Sequence, residues 1–279
     1  MSAYTEVVFE LQPFEPWNEV LVAYLAEIDF ESFQEEEPLL KAYVQTDLFD
    51  ENKIKETLKA IEDESFQVKF SYENIEQQNW NAVWESQFEP VEVGTKLLIK
   101  APFHSADNFN GLIVEIEPKM SFGTGHHQTT FLVCQEMLKM DFSNKKVLDM
   151  GAGTGVLAIL AEKLGASYIE AVEIEPWSAE NCDFNAKRNG CERILSLFGD
   201  FDVVRENQFD VILANINKNV LKSQLEFYAS KLKSSGLLLL SGFFTSDNDE
   251  LISHANQFGF SLEKTENKEN WSMLKFTRQ

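Results

Sequence analysis

The sequence predicts an α/β fold: a largely parallel sheet covered by helices on both faces and closed by an antiparallel strand, preceded by a small α+β domain. Three observations carry the prediction. From residue 109 onward, short apolar runs alternate with segments of helical spacing, the pattern of a parallel sheet buried on both sides. One of those runs, Val147-Leu148-Asp149-Met150, feeds directly into Gly151-Ala152-Gly153-Thr154-Gly155. The charge is also lopsided: residues 1–90 hold 21 acids against 5 bases, a net of −16, which leaves −6 of the total −22 to residues 91–279.

In the acidic third, Tyr4–Leu11 alternates like a strand. Pro16 opens a helix over 17–27, with Val20, Leu21, Tyr24, Leu25 and Ile28 at helical spacing. Leu39–Gln45 reads as a strand, 52–61 puts Ile54, Leu58 and Ile61 on one helical face, and Phe66–Tyr72 alternates with Phe66, Val68, Phe70 and Tyr72 on one side. This βαβαβ pattern resembles a ferredoxin-like domain whose missing strand would lie in 30–38. It contains no His or Cys, so residues 1–72 read as a recognition domain rather than a catalytic one. Residues 73–92, polar and punctuated by Trp80 and Trp84, read as a linker helix leading into a hairpin at Val93–Ala101.

The remainder, 93–279, holds the strand–helix units. Strands are expected at Lys145–Met150, Tyr168–Glu173, Leu195–Phe198, 209–214 and Leu237–Ser241, with helices at 155–164, 176–189, 217–233 and 247–257. The final segments, 259–266 and 271–277, are separated by too short a turn to run parallel. No apolar run approaches the roughly 18 residues of a membrane span. The first residues lack the basic-then-apolar layout of a secretion signal. Three cysteines without C-x-x-C spacing fit reduced thiols. A soluble cytoplasmic protein is expected. An acidic field attracts basic polypeptides and repels phosphate backbones.

The glycine turn carries the chemistry. Glycines let the chain turn tightly and let a ligand approach the backbone, and ligands of doubly wound sheets bind at the carboxyl ends of the strands. Glu173 ends the next strand, 22 positions after Gly151, where an acid can accept hydrogen bonds from ribose hydroxyls. Gly199-Asp200, after the third strand, is a candidate adenine contact. Dinucleotide folds use G-x-G-x-x-G, whereas Gly151, Gly153 and Gly155 give G-x-G-x-G preceded by Asp149. A nicotinamide cofactor is therefore not expected. Asn215, in Ala214-Asn215-Ile216-Asn217, ends the fourth strand, where it is a candidate polar contact.

This first glycine motif resembles that of class I S-adenosylmethionine-dependent methyltransferases, whose Rossmann-like seven-stranded sheet closes on an antiparallel pair. A second stretch, Ser121-Phe122-Gly123-Thr124-Gly125-His126-His127-Gln128-Thr129-Thr130, sharpens the likeness. Its F-G-T-G-x-H-x-T-T loop precedes the glycine turn, AEKLGA at 161–166, Glu173 and Glu175, ANIN at 214–217, Leu240-Ser241-Gly242 and Asn270-Trp271. In that order, over about 80–279, these motifs resemble the ribosomal protein L-eleven methyltransferase family. Over 1–79 the likeness is architectural only.

The resemblance implies methyl transfer from S-adenosylmethionine to lysine ε-amines and the N-terminal α-amine of a basic ribosomal protein, with repeated methylation. The enzyme is expected to act as a monomer, without metal, membrane or direct nucleic-acid contact. Carried over residue by residue, Thr130, Gly151, Glu173 and Asn215 would contact the cofactor, with Asp149, Gly153, Gly155 and Asp200 beside them. Phe122 and its loop would form a flexible lid near the target amine. Asn215, Phe122 and His127 form the candidate catalytic set, His127 as a base or as a structural hydrogen-bonder. His126 and Gln128 stand where the family has Thr and Pro, Gly151-Ala152-Gly153-Thr154-Gly155 where it has G-C-G-S-G, and Glu173 often where it has Asp. A nucleic-acid amino methyltransferase and a non-enzymatic cofactor-binding ribosome-assembly module are the alternatives.

Overall fold

The computed structural model describes residues 4–61, 65–75, 89–107, 109–117, 119 and 121–279. The chain divides into two compact units, residues 1–88 and 89–279. The expected linker helix falls mostly on 76–88, outside the described residues.

The first unit runs β1 (Tyr4–Gln12), α1 (Trp17–Ala26), β2 (Phe30–Glu36), β3 (Leu39–Gln45), α2 (Glu51–Ala60) and β4 (Gln67–Ile75). Its antiparallel sheet has the order β2-β3-β1-β4, the ferredoxin-like arrangement. The missing strand is β2. It eluded the alternation rule because only Phe30 is buried, while three glutamates keep this edge solvated. Leu21 and Leu25 of α1 and Ile54 of α2 cover Val7, Phe9 and Leu40. Tyr24 and Tyr72, expected on apolar faces, are instead 41% and 47% exposed, and the Tyr72 hydroxyl donates to Glu51.

The second unit opens with a small sheet of β5 (Val91–Val93), β6 (Leu97–Lys100) and β7 (Leu112–Glu115). Then follow α3 (Gln128–Met137), β8 (Lys146–Met150), α4 (Val156–Lys163), β9 (Tyr168–Glu173), α5 (Pro176–Arg188) and β10 (Ile194–Phe198). The chain continues through β11 (Phe209–Asn215), α6 (Lys218–Lys231), β12 (Leu232–Phe244), α7 (Asn248–Gln257), β13 (Phe260–Lys268) and β14 (Trp271–Arg278). The seven strands lie in the order β10-β9-β8-β11-β12-β14-β13. The first five pair in parallel, and β14 runs antiparallel to both its neighbours.

The continuous apolar strands are explained by a core on each face. Val147, Val211, Leu213 and Leu239 belong to one apolar cluster, and Leu148, Ile212, Leu238 and Leu240 to the other, as the two-residue period of a strand requires. Strand order reverses direction at β8, between β9 and β11, and a crevice for ligand opens at such a switch point. Two elements depart from expectation. Strand β12 begins at Leu232, because Ser234-Ser235-Gly236, which resembles a turn, is accommodated as a register shift opposite Phe209 and Val211. Helix α3 takes in Gln128, Thr129 and Thr130, which were expected to belong to the loop.

Candidate active site

At the end of β8 the backbone turns through Gly151, Gly153 and Gly155, all at positive φ. Gly153 is the least replaceable: a Cβ there would lie 2.2 Å from the carbonyl oxygen of Phe122. The Gly153 N–H donates to Glu173 Oε2 at 2.8 Å. Glu173 Oε1 in turn accepts from the N–H groups of Ile174 and Glu175, at 2.9 and 3.2 Å. Three backbone donors therefore fix one carboxylate at the tip of β9, bonds of the stronger, charge-assisted kind. At the tip of β10, Asp200 Oδ1 accepts from the Phe201 N–H and from Gln224 Nε2, each within 2.9 Å.

A cavity of about 590 Å³ opens over these strand ends. Gly151, Gly153, Glu173 and Asp200 line it, and so do Phe122, His127 and Asn215. Three candidates do not. Thr130 is fully buried in the first turn of α3, where its hydroxyl accepts from Asn215 Nδ2 at 3.2 Å; it holds Asn215 and has no face toward the cavity. Asp149 is sealed behind the turn, with Oδ2 accepting from the Ala158 N–H at 3.1 Å. Gly155 caps α4 and packs against Cys182, whose Sγ would lie 2.7 Å from an added Cβ. Asp149 and Gly155 thus support the turn from behind.

Burial pushes the Asp149 carboxyl up to about 7, with Glu173 contributing repulsion in the same direction. A carboxyl whose folded pKa exceeds its unfolded value stabilises the fold fully at acid pH. It surrenders that stability as pH rises from the unfolded value through the folded one. Stability of the protein should therefore fall between about pH 4 and pH 7, by an amount on the order of 4 kcal/mol. Thermal denaturation of Asp149→Asn at pH 5 and pH 8 checks this. The variant should lose less melting temperature between the two than the parent does.

Asn215 ends β11. Its Nδ2 is held by Thr130, and its Oδ1 is buried without a hydrogen-bond partner. A buried acceptor left unpaired costs about 1–3 kcal/mol, and such atoms in native structures call for an explanation in ligand or function. Beyond Asn215, the Ile216 N–H donates to Ser241 and Asn217 caps α6 through the Val220 N–H. Gly242, at φ 98°, lets β12 pass directly against the Ile216 carbonyl.

The loop over 121–127 is joined to the glycine turn by two hydrogen bonds. The Phe122 carbonyl accepts from the Thr154 N–H at 2.9 Å, and the Gly123 carbonyl accepts from the Thr154 hydroxyl at 2.6 Å. The two histidines diverge. His126 meets Thr124 Oγ1 and the Glu89 carbonyl, at 3.1 and 2.8 Å. His127 caps α3, its Nδ1 accepting from the Thr129 N–H at 3.3 Å. Nδ1 also meets the Thr129 hydroxyl at 2.8 Å, so both contacts of this nitrogen are spent on Thr129. Burial lowers the His127 pKa against the opposing pull of Glu269, so the ring is held toward the neutral form. Gln128 donates to Glu269 at 2.9 Å, joining α3 to the β13–β14 turn.

Trp177, Gln224 and Trp271 also line the cavity; Trp271 belongs to the Asn270-Trp271 motif, to which the sequence assigns no role, and the other two belong to no motif. Gln224 is legible only through its bond to Asp200 across 24 residues. Trp271 reaches the site because β14 pairs with β12, placing it opposite Phe244.

A sheet of this order, with a glycine turn, a strapped acid and a cavity at the switch point, defines a class I S-adenosylmethionine-dependent methyltransferase. The solved structure of a ribosomal protein L11 methylase from Lactobacillus delbrueckii subsp. bulgaricus superposes with a TM-score of 0.64 at 25% identity, covering 69% of this chain and 100% of that one. A methyltransferase from Pyrococcus furiosus shares the fold, with a TM-score of 0.50 at 20% identity over 59% of this chain and 89% of its own. Residues 19–279 match the family model described as ribosomal protein L11 methyltransferase (PrmA). Proteins of that name from Porphyromonas gingivalis and Phocaeicola vulgatus are 41% and 36% identical, covering 93% and 98% of this chain and 90% and 98% of their own. The chain belongs to the ribosomal protein L11 methyltransferase family.

S-adenosylmethionine is accordingly its cofactor, and the residues present fit it. Gly153 lines the cavity, and its lack of a Cβ lets the Phe122 carbonyl close against the turn. Glu173 stands immobilised at the strand tip, and Asn215 keeps an acceptor in reserve.

Proposed function

We propose that this enzyme methylates lysine ε-amines and the N-terminal α-amine of ribosomal protein L11, captured through the acidic domain of residues 1–72. The observation that carries the chemistry is the unpartnered Oδ1 of Asn215, whose amide is already pinned by Thr130. Such an atom is set to accept from an amine N–H and leave the nitrogen lone pair free to point elsewhere. Bound S-adenosylmethionine supplies a sulfonium methyl group, whose S–C bond breaks with its electron pair kept by sulfur as the amine lone pair forms the N–C bond. Glu173 and the Gly151–Gly155 turn would hold the nucleoside, and Asp200 its base.

An ammonium must lose a proton before attack, since a lysine pKa lies near 10.4. Water takes that proton in this reading, and His127 serves the cap of α3 through its Nδ1. The names of the relatives support L11 as acceptor. The −16 carried by residues 1–90 supports a basic protein over a nucleic acid.

Intact-mass measurement of purified L11, incubated with enzyme and cofactor, should show additions in steps of one methyl group. Proteolytic mapping should place them on lysines and the N-terminus. No addition to the protein, with methylation of ribosomal RNA in the same assay, would overturn the proposal. Raising salt from 50 to 500 mM should weaken L11 binding by about tenfold or more while cofactor affinity changes little, since the acidic partner surface is screened by ions. Equal sensitivity of the two would count against electrostatic capture.

A further inference from the structure

The amine end of the cavity carries three aromatic walls that the proposed chemistry has not used. Phe122 and His127 lie 5.1 Å apart between ring centroids, and His127 meets Trp271 edge-on at 4.5 Å. All three line the cavity with Asn215, and Phe244 buttresses Trp271 from behind at 4.3 Å. Phe122 is 55% exposed. The group is tied to the amine acceptor by a short path. Asn215 is held by Thr130, Thr130 lies in the first turn of α3, and His127 caps that turn.

Resting on the amine-methylation reading above, we propose that Phe122, His127 and Trp271 form a wall that recognises methylated amines and determines how many methyl groups each nitrogen receives. The reasoning follows the count of N–H groups. A neutral primary amine has two, its monomethyl product one, and its dimethyl product none. After each transfer the new ammonium loses a proton to water, regaining a lone pair, and a fresh methyl donor replaces the spent one. Asn215 Oδ1 can therefore orient the first and second acceptors through N–H and has nothing to grip on the third.

Aromatic faces supply what is lost. They pack against N-methyl groups and stabilise the positive charge that grows on nitrogen as the methyl arrives. A neutral His127 adds ring surface without repelling that charge. Asn215 thus serves the early transfers and the aromatic wall the last.

The test follows each methylation step of L11 by intact mass with the full-length enzyme. Trp271→Leu should slow every step but lower the rate of the third relative to the first by roughly tenfold, so that dimethyl product accumulates. Trp271→Phe should keep the parent ratio within about threefold, which separates the wall's chemistry from simple misfolding. Asn215→Ala should shift the ratio in the opposite direction. Equal slowing of all steps in Trp271→Leu would overturn the proposal.

A second measurement does not depend on the acceptor. With S-adenosylhomocysteine present, calorimetric titration should show the parent binding Nε-trimethyl-lysine about fivefold more tightly than lysine, and Trp271→Leu should lose that preference. Equal affinity of the parent for the two amino acids would refute the wall. The preference combined with no methylation of L11 would instead retain the wall and remove L11 as acceptor.

Discussion

Asn215→Ala is expected to lower kcat/KM for the protein acceptor by about a hundredfold, the scale seen when one preorganised polar contact at a reacting centre is removed. Cofactor affinity should change much less, by about threefold, because Glu173 and the glycine turn remain intact. Two features make the effect large. The Asn215 amide is not free to rotate, since Nδ2 donates to the buried Thr130 hydroxyl at 3.2 Å. Its Oδ1 is buried and unpaired, so the protein has already met the desolvation cost that a solvated acceptor would incur on binding the amine. Initial rates with saturating cofactor, alongside calorimetric titration of S-adenosylhomocysteine, check both halves of the prediction. A variant of near-parental rate would show that the amine is oriented by other groups.

Glu173→Ala should weaken cofactor binding by about two orders of magnitude and destabilise the protein by about 2 kcal/mol. The carboxylate accepts from the N–H groups of Gly153, Ile174 and Glu175, so its removal strands three donors at once. The Gly153 bond runs from the tip of β9 to the turn after β8, and its loss leaves the two joined there by the Gly151 and Ala152 N–H bonds to the Val172 carbonyl. Glu173→Gln retains oxygen for one side of this clamp and should fall between the two. Titration with S-adenosylhomocysteine gives the affinity, and thermal denaturation without ligand gives the stability. Unchanged affinity in Glu173→Ala would remove this residue from the cofactor site.

What could be read in the sequence was local in character. The strand at 146–150, the glycines after it and Glu173 at the next strand tip are all signalled by residues within a few positions of one another. Helix α3 was hidden because its N-cap is a histidine inside a glycine-rich loop, and because Thr129 and Thr130 are weak helix formers fully buried here. Thr130 was legible as a site residue while its role was not: only the fold shows its hydroxyl turned to Asn215, 85 positions away. Trp271 needed β14 to be inserted beside β12, and Gln224 needed α6 to lie over β10's end. No period of two or 3.6 residues encodes either. Asp149 stands next to the glycines in sequence, and burial behind the turn makes it a support.

The strand that closes the sheet in sequence is not the one at its edge. Strand β14 lies between β12 and β13, so during synthesis the long edge of β12 waits unpaired until residues 271–278 have been made. An open edge of that kind invites pairing with other chains. Over the same interval His127 has no Trp271 beside it and the acceptor wall is incomplete. A chain cut short before residue 271 would therefore carry its glycine turn, yet be sticky along one edge and lack the Trp271 side of the proposed acceptor wall.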